Sequence, residues 1–309
     1  MSGLALFRIT LACLVVGMLT VSAQSPRPSK KALVAHRGAS AYAPEHTLAS
    51  YRLAVEQGAD YVEQDLAVTR DGVLICLHDE SLERTTDVED LFPDRASIDR
   101  ASGRKRWLAA DFTLAEIKQL DAGSWFDPKF ADELVPTWEE AIAVVGEAAG
   151  LYPELKAPAL YRARRVDMAR IFADSVTRLR LDRTPGKLIV QSFDDQVLRE
   201  LAGTLPGVPR TFLIDTSDGP RWLTPAGLKA VAGFATGIGP SKGLIDRQAE
   251  LVTLAHGAGL TVTPYTFTTR GAPTRFGDVR EEMEYYLTTL NVDAVFTDNP
   301  DRFPRHGAR

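Results

Sequence analysis

Eight short apolar runs, each parted from the next by other sequence, constrain this 309-residue chain more than any other feature. The strand-like runs are Ala32–His36, Tyr61–Val68, Leu151–Lys156, Leu188–Phe193, Thr211–Asp215, Ala235–Pro240, Thr261–Phe267 and Ala294–Asp298. Helix-like stretches between them include Thr47–Gln57, Thr137–Ala149, Tyr161–Leu179, Asp195–Leu201, Arg247–Ala258 and Val279–Leu290. Strands that alternate with helices predict a parallel sheet, and eight of them predict that the sheet closes into an α/β barrel. The length suits one such barrel carrying an insertion.

Two segments break the alternation. Val73–His78 follows Tyr61–Val68 after only Thr69-Arg70-Asp71-Gly72. A parallel crossover needs a dozen residues or more, whereas Asp-Gly between apolar runs signals a hairpin. Folding back at Arg70–Asp71 brings His78 beside Gln64 and Asp65, at the mouth of the barrel. Residues 80–136 are too long for an ordinary loop. They include Thr113 and Glu116, spaced as a helix capping box. This stretch reads as a small subdomain above the mouth, either covering the site or serving as a solvated decoration.

The chain ends also carry information. Arg8 precedes the run Ile9–Val21, apolar apart from Thr10, Gly17 and Thr20, and Val21-Ser22-Ala23 follows the small-residue cleavage rule. The expectation is a signal peptide over 1–23, a polar linker over 24–30, and a barrel domain over 31–309 with its insertion at about 80–136. The apolar run is shorter than the ~20 residues of a membrane-spanning helix. Export to a periplasm or the cell exterior is therefore expected, with no stable membrane insertion after cleavage. The formal net charge is −5, so nothing in the bulk electrostatics favours nucleic acid. An anionic small molecule must be held by a few placed cations or a metal. With the leader gone only Cys76 of the two cysteines remains. It sits in an apolar run and reads as a buried hydrophobe, without an intramolecular disulfide.

Glu63 and Asp65 share a strand face by period-two alternation. Two acids inside a barrel repel each other and need a cation. A solvent-facing strand is the ordinary fate of such a pair, but Glu154 ends another apolar strand, and functional residues on these barrels gather at strand C-termini. Oxygen ligands alone suit Ca²⁺ or Mg²⁺. His36 and His78 lie at neighbouring strand ends. Between them they can activate an attacking hydroxyl and protonate a leaving alkoxide. His46, His256 and His306 read as surface or helix histidines. Arg37 and Lys156 are placed to bind phosphate oxygens. Glu45 can pair with Arg37 or cap the Thr47 helix, with a metal role secondary. Glu45, Gln191, Phe193, Trp125, Tyr265 and Phe267 are candidate substrate contacts, although lone aromatics are more often core.

The segment HRGASAYAPEHTLASYRLAVEQGADYVEQDLAVTRDGVLICLHDESLERTT resembles the N-terminal signature of the glycerophosphodiester phosphodiesterases. YPELKAP, QSF, PYTF and AVFTDNPD match later blocks in order, so the resemblance spans residues 32–302. The insertion and leader are most similar to the secreted, periplasmic-type branch. The resemblance implies a TIM-like (β/α)8 barrel with a small insertion between the second strand and second helix. It implies hydrolysis of deacylated phospholipids, such as glycerophosphocholine, to an alcohol and sn-glycerol 3-phosphate. A divalent cation is implied, Ca²⁺ before Mg²⁺. By position Glu63, Asp65 and Glu154 match metal ligands, His36 and His78 the acid/base pair, and Arg37 and Lys156 phosphate contacts. His46 departs from the family's more usual asparagine. A lysophospholipase D-like or cyclising enzyme on the same barrel is the alternative, and a non-catalytic glycerophosphodiester-binding protein a further one. The sequence leaves a homo-oligomer open.

Overall fold

A computed structural model describes residues 30–248, 250–270 and 275–305. The expected leader, the linker up to residue 29, and His306 lie outside them. In chain order the strands are β1 (Ala32–Ala35), β2 (Tyr61–Val68), β3 (Leu74–Cys76), β4 (Ser97–Ile98), β5 (Lys105–Arg106), β6 (Gly150–Leu155), β7 (Val190–Ser192), β8 (Arg210–Ile214), β9 (Gly237–Pro240), β10 (Thr261–Val262) and β11 (Ala294–Thr297). Parallel neighbours run β10-β9-β8-β7-β6-β2-β1-β11. The remaining seam, β10 to β11, has no regular ladder. Single hydrogen bonds draw it together, from Asp293 N to Val262 O (2.9 Å) and from Phe296 N to Pro264 O (3.1 Å). A bridge between Phe267 and Thr297 completes it. The result is the expected barrel of eight parallel strands, nearly closed.

Alternation along the strands sorts the side chains. On β2, Val62 and Leu66 join the apolar layer under the helices, while Glu63 and Asp65 face the barrel cavity. Register then sets Asp65 beside Glu154, and Glu154 beside Gln191, across β2, β6 and β7. Below them lies an aromatic floor. The Tyr152 ring meets Phe296 at 5.1 Å and Tyr61 at 5.8 Å, and its hydroxyl bonds Thr211 Oγ1 at 2.6 Å.

The hairpin forms as expected: β3 pairs antiparallel with β2, Leu66 opposite Cys76. Leu77 N donates to Asp65 O at 2.9 Å, which delivers His78 to the mouth. The insertion follows β3 and ends before the helix Trp138–Val145. It builds its own core from Leu82, Val88, Trp107, Phe112, Ile117 and Leu120 against Ile75 and Leu77. The Thr113–Glu116 capping box is present.

Three helical stretches differ from the sequence reading. Tyr161–Leu179 is two helices, Pro158–Ala163 and Met168–Arg178. Arg165 breaks the run at φ 61°, and the Asp167 side chain caps the second helix by accepting from Arg170 N. Arg247–Ala258 is likewise divided, into Lys242–Arg247 and Leu251–Gly257. The helix from Val279 ends at Glu284 and continues as a π turn, Tyr285–Thr289. Among the described residues no helix is long and apolar enough to cross a membrane.

Candidate active site

The mouth of the barrel is built from residues that follow strand ends. His36 comes directly after β1, and its Nδ1 lies 2.7 Å from Asp298 Oδ1, just beyond β11. Ser40 Oγ donates to the same oxygen at 3.0 Å. His78 is held in the same way, with Nδ1 at 2.6 Å from Asp79 Oδ1. Both imidazoles line one cavity of about 250 Å³. With Nδ1 occupied, Nε2 is the nitrogen each can offer to a bound molecule. A carboxylate on Nδ1 also fixes ring orientation and stabilises an imidazolium.

Arg37 adopts φ 57°, and this left-handed turn carries its backbone N–H onto Glu63 Oε2 at 2.7 Å. Its guanidinium Nε stands 3.3 Å from Asp65 Oδ2, and Nη1 donates to Glu45 Oε1 at 3.0 Å. Lys156 Nζ is 3.1 Å from Glu154 Oε1 and 3.9 Å from Asp65 Oδ1. The cations sequence reasoning assigned to phosphate therefore stand among the carboxyls, balancing them.

That balance is incomplete. Burial pushes the Glu63 carboxyl well up, and the Asp65 charge adds to the shift. Burial raises Glu154 to about 8, with Lys156 opposing and Asp65 reinforcing. Burial also opposes ionisation of Asp65, but Lys156, His46 and Arg37 outweigh it and hold that group well below the usual carboxylate range. Two of three buried acids thus resist ionisation for want of positive charge. Gln191 lines the same cavity, and its Oε1 is buried with no partner among the described residues. Oxygen donors short of a cation fit a divalent metal ion. Among the described residues, ligand atoms of His46, Glu63 and Asp65 lie within 4.8 Å of one another. The expected third acid, Glu154, is outside that group and stands beside Asp65 across the β2–β6 register.

The structure brings together His36, His78, Glu63, Asp65, Glu154, Arg37, Lys156, Gln191, Phe193 and Tyr265. It corrects three other readings, those of Phe267, Glu45 and His46. Phe267 is fully buried, packed on Tyr286 and under Lys242, and lines no part of the cavity. Trp125 is exposed on the insertion, edge-on to Phe126, whose ring lies 5.8 Å from the Arg270 guanidinium in the segment after Tyr265 and Thr266. Glu45, also a candidate substrate contact, does not line the cavity; it pairs with Arg37, as expected, and with Arg84. His46 is no surface histidine, being only 4 % exposed. Its Nε2 lies 2.9 Å from Asp65 Oδ2 and its Nδ1 2.8 Å from the Tyr51 hydroxyl. His256, on its helix, is also buried and meets Asp293 at 2.9 Å.

Sequence reasoning missed Asp79 and Asp298, the carboxylates behind the two histidines. Asp79 was signalled by adjacency to His78; Asp298 had no local signal. Leu213, Thr266 and Phe296 complete the cavity wall. A second cavity of about 480 Å³ shares His78, Glu154, Lys156 and Phe193 with the first, and extends towards Glu80, Arg106 and Asp194. The insertion therefore walls the mouth on one side.

Comparison with known proteins gives a consistent result. The model of the glycerophosphoryl diester phosphodiesterase family matches residues 36–302. A glycerophosphodiester phosphodiesterase of Bacillus subtilis is 34% identical over 316 aligned positions, covering 97% of this chain and 96% of the relative. Among solved structures, a glycerophosphodiester phosphodiesterase from Agrobacterium tumefaciens superposes with a TM-score of 0.66 at 28% identity, covering 89% of this chain and 99% of that one. An Oleispira antarctica phosphodiesterase, solved with the product sn-glycerol-3-phosphate, gives 0.67 at 29% identity, covering 88% and 94%.

Proposed function

Because the chain belongs to the glycerophosphoryl diester phosphodiesterase family and is itself a glycerophosphodiester phosphodiesterase, we propose that it splits its substrate by metal-assisted histidine acid–base catalysis, releasing an alcohol and sn-glycerol 3-phosphate. The observation that carries this reading is the pair of imidazoles, each held by a carboxylate, beside three buried acids on one cavity.

Glu63, Asp65 and Glu154 would hold the cation; oxygen donors suit Ca²⁺ or Mg²⁺ alike, and the family resemblance puts Ca²⁺ first. When bound, such an ion offsets phosphate charge and acidifies a hydroxyl. Arg37 and Lys156 orient the phosphate. His36 faces only the inner cavity and takes the proton from the attacking hydroxyl, of glycerol or of water. His78 borders both cavities, and so stands where the departing alcohol must pass. Its Nε2 gives up the proton as the phosphorus–oxygen bond breaks. Proton transfers of this kind contribute roughly 10²–10⁴-fold.

The leader-like N-terminus supports export, to the periplasm or beyond. The direct test is to incubate the protein with glycerophosphocholine, with and without chelator, and to measure glycerol 3-phosphate. Production that depends on the cation is expected. No product with Ca²⁺ or Mg²⁺ supplied would remove the proposal, and turnover of lysolipid alone would favour a lysophospholipase D.

A further inference from the structure

Arg84 falls at the end of the signature segment, in Leu82-Glu83-Arg84-Thr85-Thr86, with no role assigned to it there, and it lies at the start of the insertion rather than on the barrel. Its guanidinium is committed in two directions. Nε meets Asp79 Oδ2 at 2.5 Å, and Nη2 approaches Asp79 Oδ1 at 3.4 Å. Nη1 and Nη2 donate to Glu45 Oε2 and Oε1 at 3.0 and 2.6 Å. Asp79 is the carboxylate on His78 Nδ1. Glu45 is the carboxylate on Arg37, which in turn meets Asp65 and Glu63. One side chain therefore joins the two halves of the site in a continuous series of alternating charge: His78, Asp79, Arg84, Glu45, Arg37.

We propose that Arg84 is the positioning residue for His78, and that it acts on the reaction by keeping that imidazole aimed at the leaving group. The inference rests on the reading of His78 as proton donor. Asp79 is a short, half-buried side chain in the bend after β3, and its carboxylate has two routes out of place: rotation into water, or desertion to another cation. A bidentate guanidinium closes both, because its planar fork fixes the carboxylate in orientation as well as in distance. With Arg84 in place, Asp79 stays ionised and in line with Nδ1. Nε2 is then presented to the substrate oxygen. A lysine at this position keeps the charge but not the fork, and its single ammonium cannot hold two carboxylates in a fixed plane.

This proposal has a signature that a merely structural role lacks. Protonation matters only when the departing oxygen is a poor anion. An alkyl alkoxide must receive the proton from His78 Nε2 as its bond to phosphorus breaks. A p-nitrophenolate departs as a stable anion and needs none. Both diesters can carry the same glycerol phosphate half.

The experiment compares wild type, Arg84→Lys and Arg84→Gln, each with divalent cation supplied, on glycerophosphoethanolamine and on glycerol 3-(p-nitrophenyl phosphate). For the alkyl substrate, kcat is expected to fall about tenfold or more in both variants, within the range of proton-transfer catalysis, with KM changing about twofold or less. For the p-nitrophenyl substrate, kcat should stay within about twofold of wild type. His78→Ala should show the same split, and adding Arg84→Lys to it should cost nothing further, as expected of residues acting through one path. Equal slowing of both substrates, or of neither, overturns the inference. If Arg84→Gln fails to fold, Arg84→Lys decides alone. Wild-type protein inert on both diesters would refute the assigned activity instead, which keeps the two failures apart.

Discussion

Glu45 belongs to the site without touching its contents. Burial opposes its ionisation, yet Arg84 and Arg37 prevail and hold it at about 2. A carboxyl lowered on folding adds stability above its unfolded value near 4.5, and that stability is lost as pH falls towards 2. Wild-type protein is therefore expected to lose resistance to urea between pH 5 and pH 3, and Glu45→Gln to lose less over the same interval. Identical losses, read from the unfolding midpoints, would show that Glu45 carries none of it. At this scale the sequence revealed position: His36, His78, Glu154 and Lys156 announce themselves at the edge of an apolar run, and Glu63 and Asp65 as acids alternating inside one. It concealed partners. Asp298 reaches His36 across 262 positions, and periodicity states which face a side chain takes, not whom it meets there. His46 was misread for the same reason, since its partner Asp65 is visible only once the helix start is folded against β2.

Among the elements, the turn leaving β1 is the most exacting. Gly38 has φ 86°, and a Cβ there would fall 2.3 Å from Ser50 Oγ and 2.7 Å from the Ser50 carbonyl carbon. Ser50 lies in the helix Leu48–Glu56, and its hydroxyl donates to Arg37 O at 3.0 Å. Gly38→Ala thus meets both backbone strain and a steric clash. A loss of roughly 3 kcal/mol or more is expected, together with reduced turnover as the Arg37 N–H leaves Glu63. An unchanged thermal midpoint would contradict this. Strand identities were legible because apolar runs and turn residues agree, and the hairpin because Asp-Gly left no other solution. The helix split at Arg165 was not, since a non-glycine in left-handed backbone leaves no compositional mark. The strand from Thr261 was overextended for a chemical reason. It stops at Val262, and Pro264 cannot donate to a ladder. Alternation therefore gave no licence to place Tyr265 and Phe267 on one face.

For the whole molecule, the described residues hold a single buried cysteine, so their barrel stands on its core and its ladders with no disulfide among them. If the leader is functional, mass spectrometry of the exported protein will give a chain starting at Gln24; material still beginning at Met1 would argue against cleavage. The barrel itself is unevenly corded. Seven of its joints are ladders, while β10 meets β11 through isolated hydrogen bonds. Beyond Val262 that joint runs through irregular backbone, from Pro264 to Phe267, still bonded to Phe296 and Asp298. Tyr265 and Thr266 belong to this stretch and line the cavity, whereas the acids stand on β2 and β6, the most extensively paired neighbours. One wall of the mouth is thus free of strand alternation, so its side chains can vary in aim, while the wall that carries the acids is fixed in register.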